Sequence, residues 1–246
     1  MNISECEKLY ADGSLDKFKN NITVLICCHS QNTKTDFMLM RSLQSLELQV
    51  FKEFKVLLVL DECHEKTKAH LDIHFSQINS PAFKINIIER QKKSGLASAK
   101  NFALAFVDTE YVCFQDADDY SMRNRLLMQT AFMYSNPDMD FCFTHAYNVF
   151  ADNLSRSQQN LIPSCFDNKM YLTHEEIAAK LTTENILTHG SCFTKTEILK
   201  QLRYNADEKF KGAEDWELWR RAILKYKFAQ LSERLYVYTI GSSVAR

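Results

Sequence analysis

Apolar and polar positions alternate in blocks along the first half of the chain. Ile22–Cys28 (ITVLICC) is a continuous β-rich apolar run, the pattern of a strand buried on both faces of a parallel sheet. The polar stretch HSQNTKTD follows. Leu39, Leu43, Leu46 and Val50 then recur at helical spacing and give one apolar helix face. Lys55–Leu60 reads as a second strand ending at Asp61-Glu62, residues 64–80 as a polar helix, and Lys84–Ile88 as a third strand. Ala97–Phe106 reads as a helix entered through Ser94-Gly95, and Tyr111–Phe114 as a fourth strand running into Asp116-Ala117-Asp118-Asp119. This rhythm predicts an α/β fold, a mostly parallel twisted sheet with helices on both faces. Ligands of such sheets bind beyond the carboxyl ends of the strands, where the polar clusters after strands one, two and four fall.

The second half is less regular. Arg123–Tyr134 reads as a helix closed by Asn136-Pro137, Asp140–Phe150 as a strand, and residues 151–169 as a polar loop. Thr173-His-Glu-Glu176 has the form of a capping box opening a helix through Leu181. Gly190–Phe193 reads as a strand, Thr196 as the start of a helix, Glu214–Lys225 as a strongly amphipathic helix and Leu235–Ile240 as a closing strand. Ser4 and Glu7 have capping-box spacing, so residues 1–21 are expected to form a helical extension to a single domain over 22–246. No internal repeat or Gly/Ser linker interrupts the pattern.

Composition narrows the function. Thirty basic residues against 31 acidic ones leave a net charge of −1, which argues against a nucleic-acid binder held by phosphate contacts. Five glycines, at 13, 95, 190, 212 and 241, cannot build a P-loop or a dinucleotide fingerprint. Eight cysteines contain no Cys-x-x-Cys pair, so a zinc ribbon or thioredoxin-type motif is not expected. Cys113 and Cys142 sit in apolar runs and read as buried hydrophobes. The acidic start MNISECEKLYADGSLDKF lacks the features of a signal peptide, and no apolar stretch is long enough to cross a bilayer. The expectation is a reduced, cytoplasmic protein, with peripheral membrane association left open and no oligomeric state indicated.

Several clusters could carry chemistry. Three carboxylates in four residues at a strand end, Asp116, Asp118 and Asp119, repel one another unless a cation joins them. Such hard oxygens suit Mg²⁺ or Mn²⁺ bridging to a diphosphate; the alternative is a solvated acidic turn that caps the next helix. An EF-hand is excluded, because its sixth position holds Ser121 and its twelfth Leu127. Gly212-Ala-Glu-Asp-Trp-Glu-Leu-Trp-Arg-Arg221 places acids at a helix start, where the macrodipole alone favours them, with Trp219 expected in the core and Asp215 towards a cleft. Lys92-Lys-Ser-Gly-Leu-Ala-Ser-Ala-Lys100-Asn101 puts a glycine at a helix N-terminus among lysines, a setting for a phosphate or simply a basic surface. His70 and His74 lie at i,i+4 but lack a third ligand, and read as part of a polar surface helix rather than a zinc pair. His29 and His189 fall at a strand end and beside Gly190-Ser191. No Gly-x-Ser-x-Gly nucleophile elbow exists.

Taken in order, the pieces resemble a family 2 glycosyltransferase of the GT-A fold. ITVLICCHSQN resembles that family's first nucleotide-binding strand and turn. SLQSLELQVFKEFKVLLVLDE resembles its next helix and acidic-ended strand. SGLASAKNFALAFVDTEYVCFQDADD resembles its Gly-Leu to Ala-Arg-Asn helix and Asp-x-Asp motif, and GAEDWELWRRAILKYKFAQLSERLYVYTI its Glu-Asp helix and final strand. The resemblance covers residues 22–241 and implies a nucleotide-sugar-binding half (22–120) and an acceptor-binding half (121–246). It implies Asp61 on the nucleotide base, Cys27, Cys28 and His29 contributing backbone contacts, and Gly95 and Lys100 on the donor. Asp116 would lie near the ribose and metal, Asp118 would ligate Mn²⁺ or Mg²⁺ on the diphosphate, and Asp215, beside Glu214, would be the general base. His145, His189 and Trp216 are candidates for the acceptor side. The implied reaction is inverting sugar transfer from a nucleotide sugar, with UDP the commonest nucleotide, to a glycan, lipid-linked or protein-linked acceptor. Three departures stand out: Cys63-His64 replace the usual Gly-Ser, Lys100 replaces Arg, and Gly241-Ser-Ser-Val-Ala-Arg246 replaces a His-containing loop. A haloacid-dehalogenase-like phosphotransferase also uses Asp-x-Asp with Mg²⁺, but Tyr120 stands where it usually has Thr or Val. A nucleotide-sugar-binding module without catalysis is the non-enzymatic alternative.

Overall fold

The first apolar run becomes β1 (Ile22–Cys28), flanked in parallel by β2 (Phe54–Asp61) and β4 (Tyr111–Phe114), with β3 (Phe83–Arg90) outside β2. The structure, a computed structural model, describes residues 1–78, 82–90, 95–151, 161–163 and 173–241. Parallel neighbours need crossovers, supplied by α2 (Thr33–Glu47), α3 (Thr67–Ser76) and α4 (Leu96–Leu104). The remaining strands are β5 (Tyr120–Ser121), β6 (Phe141–Phe150), β7 (Ile162–Pro163), β8 (Phe193–Lys195) and β9 (Phe228–Ile240). Among the described residues they form one sheet in the order β3-β2-β1-β4-β8-β6-β9-β5, with β7 beside β6. β8 runs antiparallel to β4 and β6, while β6 and β9 are parallel, so the sheet is mostly parallel, as expected.

Strand periodicity divides the core. Val24, Ile26 and Cys28 of β1 pack with Leu39 and Leu43 of α2 and with α1 (Ile3–Ala11) and α5 (Arg125–Ser135). Leu25 of β1 and Val59 of β2 face the other way. They pack with α4, α6 (His174–Leu181), α7 (Thr196–Leu202) and α8 (Glu214–Ala222). Trp219 of α8 is fully buried, edge-on to Phe141 and Phe143 of β6. Helices therefore cover both faces, and no helix among the described residues is long and apolar enough to cross a membrane.

Several boundaries differ from the pattern. The N-terminal capping box is Asn2 and Glu5, not Ser4 and Glu7: each backbone N–H donates to the other side chain, at 2.8 and 3.0 Å. Cys6, Leu15 and Phe18 are buried in the main core, because the extension lies on α5 and Phe18 packs on Tyr111. Val50 is beyond the end of α2, its N–H donating to the Arg123 carbonyl at 3.0 Å. Gly190–Phe193 is not a strand. His189–Ser191 is a 3-10 turn, and the strand starts at Phe193. β9 begins seven residues earlier than Leu235, because it tracks β6 through register shifts around His145, the first of which leaves Ser232 and Glu233 without a partner position in β6. In the polar loop, Ile162 and Pro163 pair with Asn148 and Tyr147; residues 152–160 and 164–169 lie outside the described residues.

Candidate active site

The Asp-rich loop after β4 is suspended between α2 and β9. Buried Gln115 donates from Nε2 to the Ser42 carbonyl at 2.9 Å and to Ser42 Oγ at 2.8 Å. The Asp116 N–H donates to the Tyr236 hydroxyl at 3.0 Å. The Asp118 carbonyl accepts from Thr239 Oγ1 and Arg41 Nη2, each at 2.6 Å, and the Thr239 N–H donates to Asp119 Oδ1 at 2.7 Å. Below the loop Arg125 is fully buried. Its Nη2 donates to the Phe114 carbonyl at 2.9 Å and its Nη1 to Ser121 Oγ at 2.9 Å, and its guanidinium lies 4.9 Å from the Tyr236 ring centre. Arg41, Arg125, Tyr236 and Thr239 were not singled out from sequence.

Asp116 faces a polar group built by α4 and the 3-10 turn. His189 Nδ1 lies 3.6 Å from Asp116 Oδ1 and 3.3 Å from Lys100 Nζ, and His189 Nε2 lies 2.8 Å from the Tyr204 hydroxyl. Burial works to raise the Asp116 pKa, but the His189 hydrogen bond and the charges of Lys100 and Arg125 outweigh it and hold the group at about 2. Burial, then the charges of Asp118 and Asp116, push Asp119 well above the usual carboxylate range. Gly190 makes this packing reachable. A Cβ there would lie 2.0 Å from the Tyr236 hydroxyl oxygen and 3.0 Å from Asp116 Oδ2. Gly190→Ala is expected to cost about 1–3 kcal/mol through overpacking, read from denaturant melts. A melt matching wild type would contradict the close approach.

At the other end of the site, Asp61 closes β2. It is 5% exposed and forms an ion pair with Arg90 of β3, Nη1 to Oδ1 3.2 Å. Arg90 also lies 4.9 Å from the Phe102 ring centre, and sequence reading did not select it. His29 Nδ1 lies 2.7 Å from the Asp61 carbonyl oxygen, tying the ends of β1 and β2 together. Burial pushes the neighbouring Cys27 thiol up to about 12, and Lys100, Asp116, Asp61 and Arg90 all act on it electrostatically. Cys27 thus stands amid the expected donor residues. His70, expected on a polar surface helix, has its Nδ1 2.7 Å from Asp36 Oδ2. Burial opposes ionisation of Asp36, yet hydrogen bonds from Ser30, Thr67 and His70 prevail and hold its pKa below the usual range. Gly95 precedes α4 with φ 82°, a left-handed value that favours glycine. Lys92, Lys93 and Ser94 lie outside the described residues.

Among the residues expected on the acceptor side, Asp215 opens α8. Its Oδ1 accepts the Trp216 N–H at 2.7 Å, and its Oδ2 accepts from Asn185 Nδ2 at 3.0 Å. Glu214 is 8% exposed, and its Oε2 has no hydrogen-bond partner among the described residues. The Trp216 indole N–H donates to the Leu181 carbonyl at 2.9 Å, which fastens α8 to α6. Tyr204 is bound to His189 through its hydroxyl and to Asn101 through its backbone. Burial raises its pKa well above normal, and Cys192, Asp215 and Asp116 add to the rise. His145 is buried at the β6 register shift, apart from the contacts that join His189 to Asp116.

The sequence description of glycosyl transferase family 2 matches residues 23–203. The chain is 28% identical over 229 residues to the uncharacterized glycosyltransferase MJ1057 of Methanocaldococcus jannaschii, covering 93% of this chain and 73% of that protein. It is 27% identical over 206 residues to the amylovoran biosynthesis glycosyltransferase AmsB of Erwinia amylovora, covering 80% and 64%. S. aureus TarS 1–349, solved with UDP-GlcNAc, has a TM-score of 0.68 at 20% identity, over 92% of this chain and 60% of that one. The mannosyltransferase PcManGT of Pyrobaculum calidifontis, solved with GDP-Man and Mn²⁺, has a TM-score of 0.66 at 15% identity, over 97% and 66%. The chain therefore spans about three fifths of the TarS chain, and at these identities the two structures speak for the fold, the GT-A arrangement expected from the sequence. The family match leaves the dehalogenase-like phosphotransferase reading without support, and it extends over most of the chain: the protein belongs to glycosyl transferase family 2.

Proposed function

We propose that the chain transfers a sugar from a nucleoside-diphosphate sugar, with UDP the expected nucleotide, to a hydroxyl of a glycan, lipid-linked or protein-linked acceptor. The observation that carries this reading is the pair of polar clusters at the carboxyl ends of neighbouring strands: Asp61 with Arg90 and His29 at the end of β2, and Asp116 with His189 and Lys100 after β4. That is where an α/β sheet takes its ligand. The nucleotide sugars in the TarS and PcManGT structures support the donor class.

In this reading Asp61 accepts from the base while Arg90 fixes its carboxylate, and the backbone of Cys28 and His29 lines the same end. Lys100 and Gly95 at the start of α4 serve the phosphates and ribose, and His189, an acceptor-side candidate by sequence, joins them because it stands against Asp116 and Lys100. Asp116 and Asp118 fit Mn²⁺ or Mg²⁺, because they are hard oxygen donors beside a third carboxylate, Asp119, and a cation relieves the negative charge that, after burial, raises it. Among the described residues no three His, Cys, Asp or Glu side chains converge on one metal position. This accords with a hard cation that takes one or two carboxylates and completes its shell with water and phosphate oxygens. Such a cation, when bound, neutralises charge developing on the leaving diphosphate. Asp215 takes the proton from the acceptor hydroxyl, with Glu214 and Trp216 shaping its surroundings. Attack from the face opposite the leaving group inverts the anomeric carbon, as in other single displacements at that carbon.

A thermal-shift panel of UDP, GDP and dTDP, with and without Mn²⁺, tests the donor class, because ligands of the native state raise Tm by mass action. A chain unmoved by all three would defeat the reading. Binding without transfer or hydrolysis of any nucleotide sugar would favour the non-catalytic module. Asp118→Asn is expected to abolish Mn²⁺-dependent diphosphate binding in calorimetry, and unchanged metal dependence would sink the metal assignment. Asp61→Ala is expected to weaken nucleotide binding by about 1.5–3 kcal/mol, the worth of a hydrogen bond to a charged group, with turnover at saturating donor retained. Normal affinity with dead chemistry would contradict that role.

A further inference from the structure

Where relatives of the resembled family carry Gly-Ser after the acidic strand end, this chain carries Cys63-His64. Glu62 takes the left-handed φ of 53°, and the turn brings Cys63 back over the end of β1. Cys63 Sγ donates to the Cys28 carbonyl oxygen at 3.1 Å and accepts the Ser30 N–H at 3.3 Å. The two thiols also act on each other's ionisation, raising the Cys28 pKa and lowering that of Cys63. Two cysteines 35 residues apart are thus held side by side, with the Cys63 sulfur on the Cys28 backbone, at the β1 and β2 ends that carry the Asp61–His29 contact.

We propose that Cys28 and Cys63 are a redox modification site, closing to a reversible disulfide with a peroxide or a low-molecular-weight disulfide as oxidant and altering the nucleotide end of the donor site. The two thiols are unequal. Cys63 is partly exposed, and its pKa is lowered, first by the Cys28 hydrogen bond and then, against burial, by the Ser30 and Asp61 backbone. It is the reactive partner, since thiolate character and access set cysteine oxidation. Cys28 is buried and acts as the resolving partner. Cys113, Cys142 and Cys192 are buried with thiols raised by burial, and the Cys27 thiol is likewise raised.

With hydrogen peroxide the Cys63 sulfur attacks one oxygen. The O–O bond breaks, a sulfenic acid forms on Cys63 and one water leaves. The Cys28 sulfur then attacks the Cys63 sulfur. The S–S bond forms, the S–O bond breaks, and the Cys28 proton departs with the hydroxyl as a second water. The two thiols are oxidised by two electrons, and the peroxide is reduced to two waters. A dithiol reverses the bond by exchange. An S–S bond of about 2.05 Å replaces the Cys63 Sγ contact with the Cys28 carbonyl oxygen, so closure re-forms the turn after Asp61 against β1 and shifts the Asp61–Arg90 pair. The effect on donor affinity rests on the proposed function; formation of the bond does not.

The full chain is oxidised under native conditions with hydrogen peroxide or oxidised glutathione, capped with a maleimide and digested without reductant. The expected product is a Cys28–Cys63 cross-linked peptide, two hydrogens lighter than its parts, that dithiothreitol dissolves. UDP affinity by calorimetry should change several-fold on oxidation and return on reduction. Cys63→Ser, checked for wild-type Tm, should bind UDP equally before and after oxidant. A Cys63 that stays open to the maleimide, or joins any other cysteine, Cys165 included, overturns the proposal. A cross-link without change in UDP affinity overturns its functional half. Reduced protein that fails to bind UDP counts against the proposed function, and the mass spectrum still decides the bond.

Discussion

Asp215→Asn is expected to leave donor and metal affinity near wild type while sugar transfer falls by roughly 10²–10⁴-fold, the usual worth of a positioned base. Asparagine keeps the size of the side chain but cannot take a proton from the acceptor hydroxyl. The competing role is structural. Asp215 sits at the N-terminus of α8 and accepts the Trp216 N–H and the Asn185 amide. Loss of a helix-end charge costs about 0.3–1 kcal/mol, and a rearranged Asn185 contact about 0.5–1.5 kcal/mol. Neither reaches the ~3–5 kcal/mol that such a rate loss represents. Tm and transfer rate measured on one preparation separate the roles. A less stable variant with a normal rate per folded molecule would reject the base, and a product of retained anomeric configuration would reject single displacement.

The strands around the site were legible because each is a short apolar run ending in polar residues, and a parallel strand buried on both faces leaves that trace. β4 matches its expected limits, and β1 does as well. The Asp cluster was legible for a local reason, since carboxylates so close in sequence remain close in space. What supports the cluster was not. Thr239 and Tyr236 reach the loop from about 120 residues away, and Arg90 reaches Asp61 only through strand pairing. The Gly190 segment was misread as a strand because apolar Cys192 and Phe193 follow it. Its conformation is set instead by the Tyr236 hydroxyl that occupies the space of a side chain. Trp216 is engaged with the Leu181 carbonyl, a tertiary bond no spacing could disclose.

Arg125→Met should produce the largest stability loss of any single substitution near the site, about 2–5 kcal/mol. Arg125 is 0% exposed, yet no carboxylate contacts it directly among the described residues. Its guanidinium supplies donors to the Phe114 carbonyl, to Ser121 Oγ and, at 3.0 Å, to Gln129 Oε1. Methionine fills much of the volume but donates nothing, so buried acceptors lose their donor at about 1–3 kcal/mol each. Two effects soften the loss. A buried cation no longer has to be desolvated, and Ser121 and Gln129 keep other bonds, to Gln115 and to the Cys142 and Ser191 carbonyls. The Phe114 carbonyl and Gln129 Oε1 remain the main casualties, and they set the range. The loop should loosen with them, because Arg125 also lies on the Tyr236 ring whose hydroxyl takes the Asp116 N–H. Weaker diphosphate binding per folded molecule is therefore expected alongside the stability loss. Arg125→Lys keeps the charge but not the planar fork, and should fall between wild type and methionine in denaturant unfolding. A methionine variant as stable as wild type would show that the desolvation cost of the cation equals everything its hydrogen bonds contribute, and would remove Arg125 as the support of the Asp-rich loop.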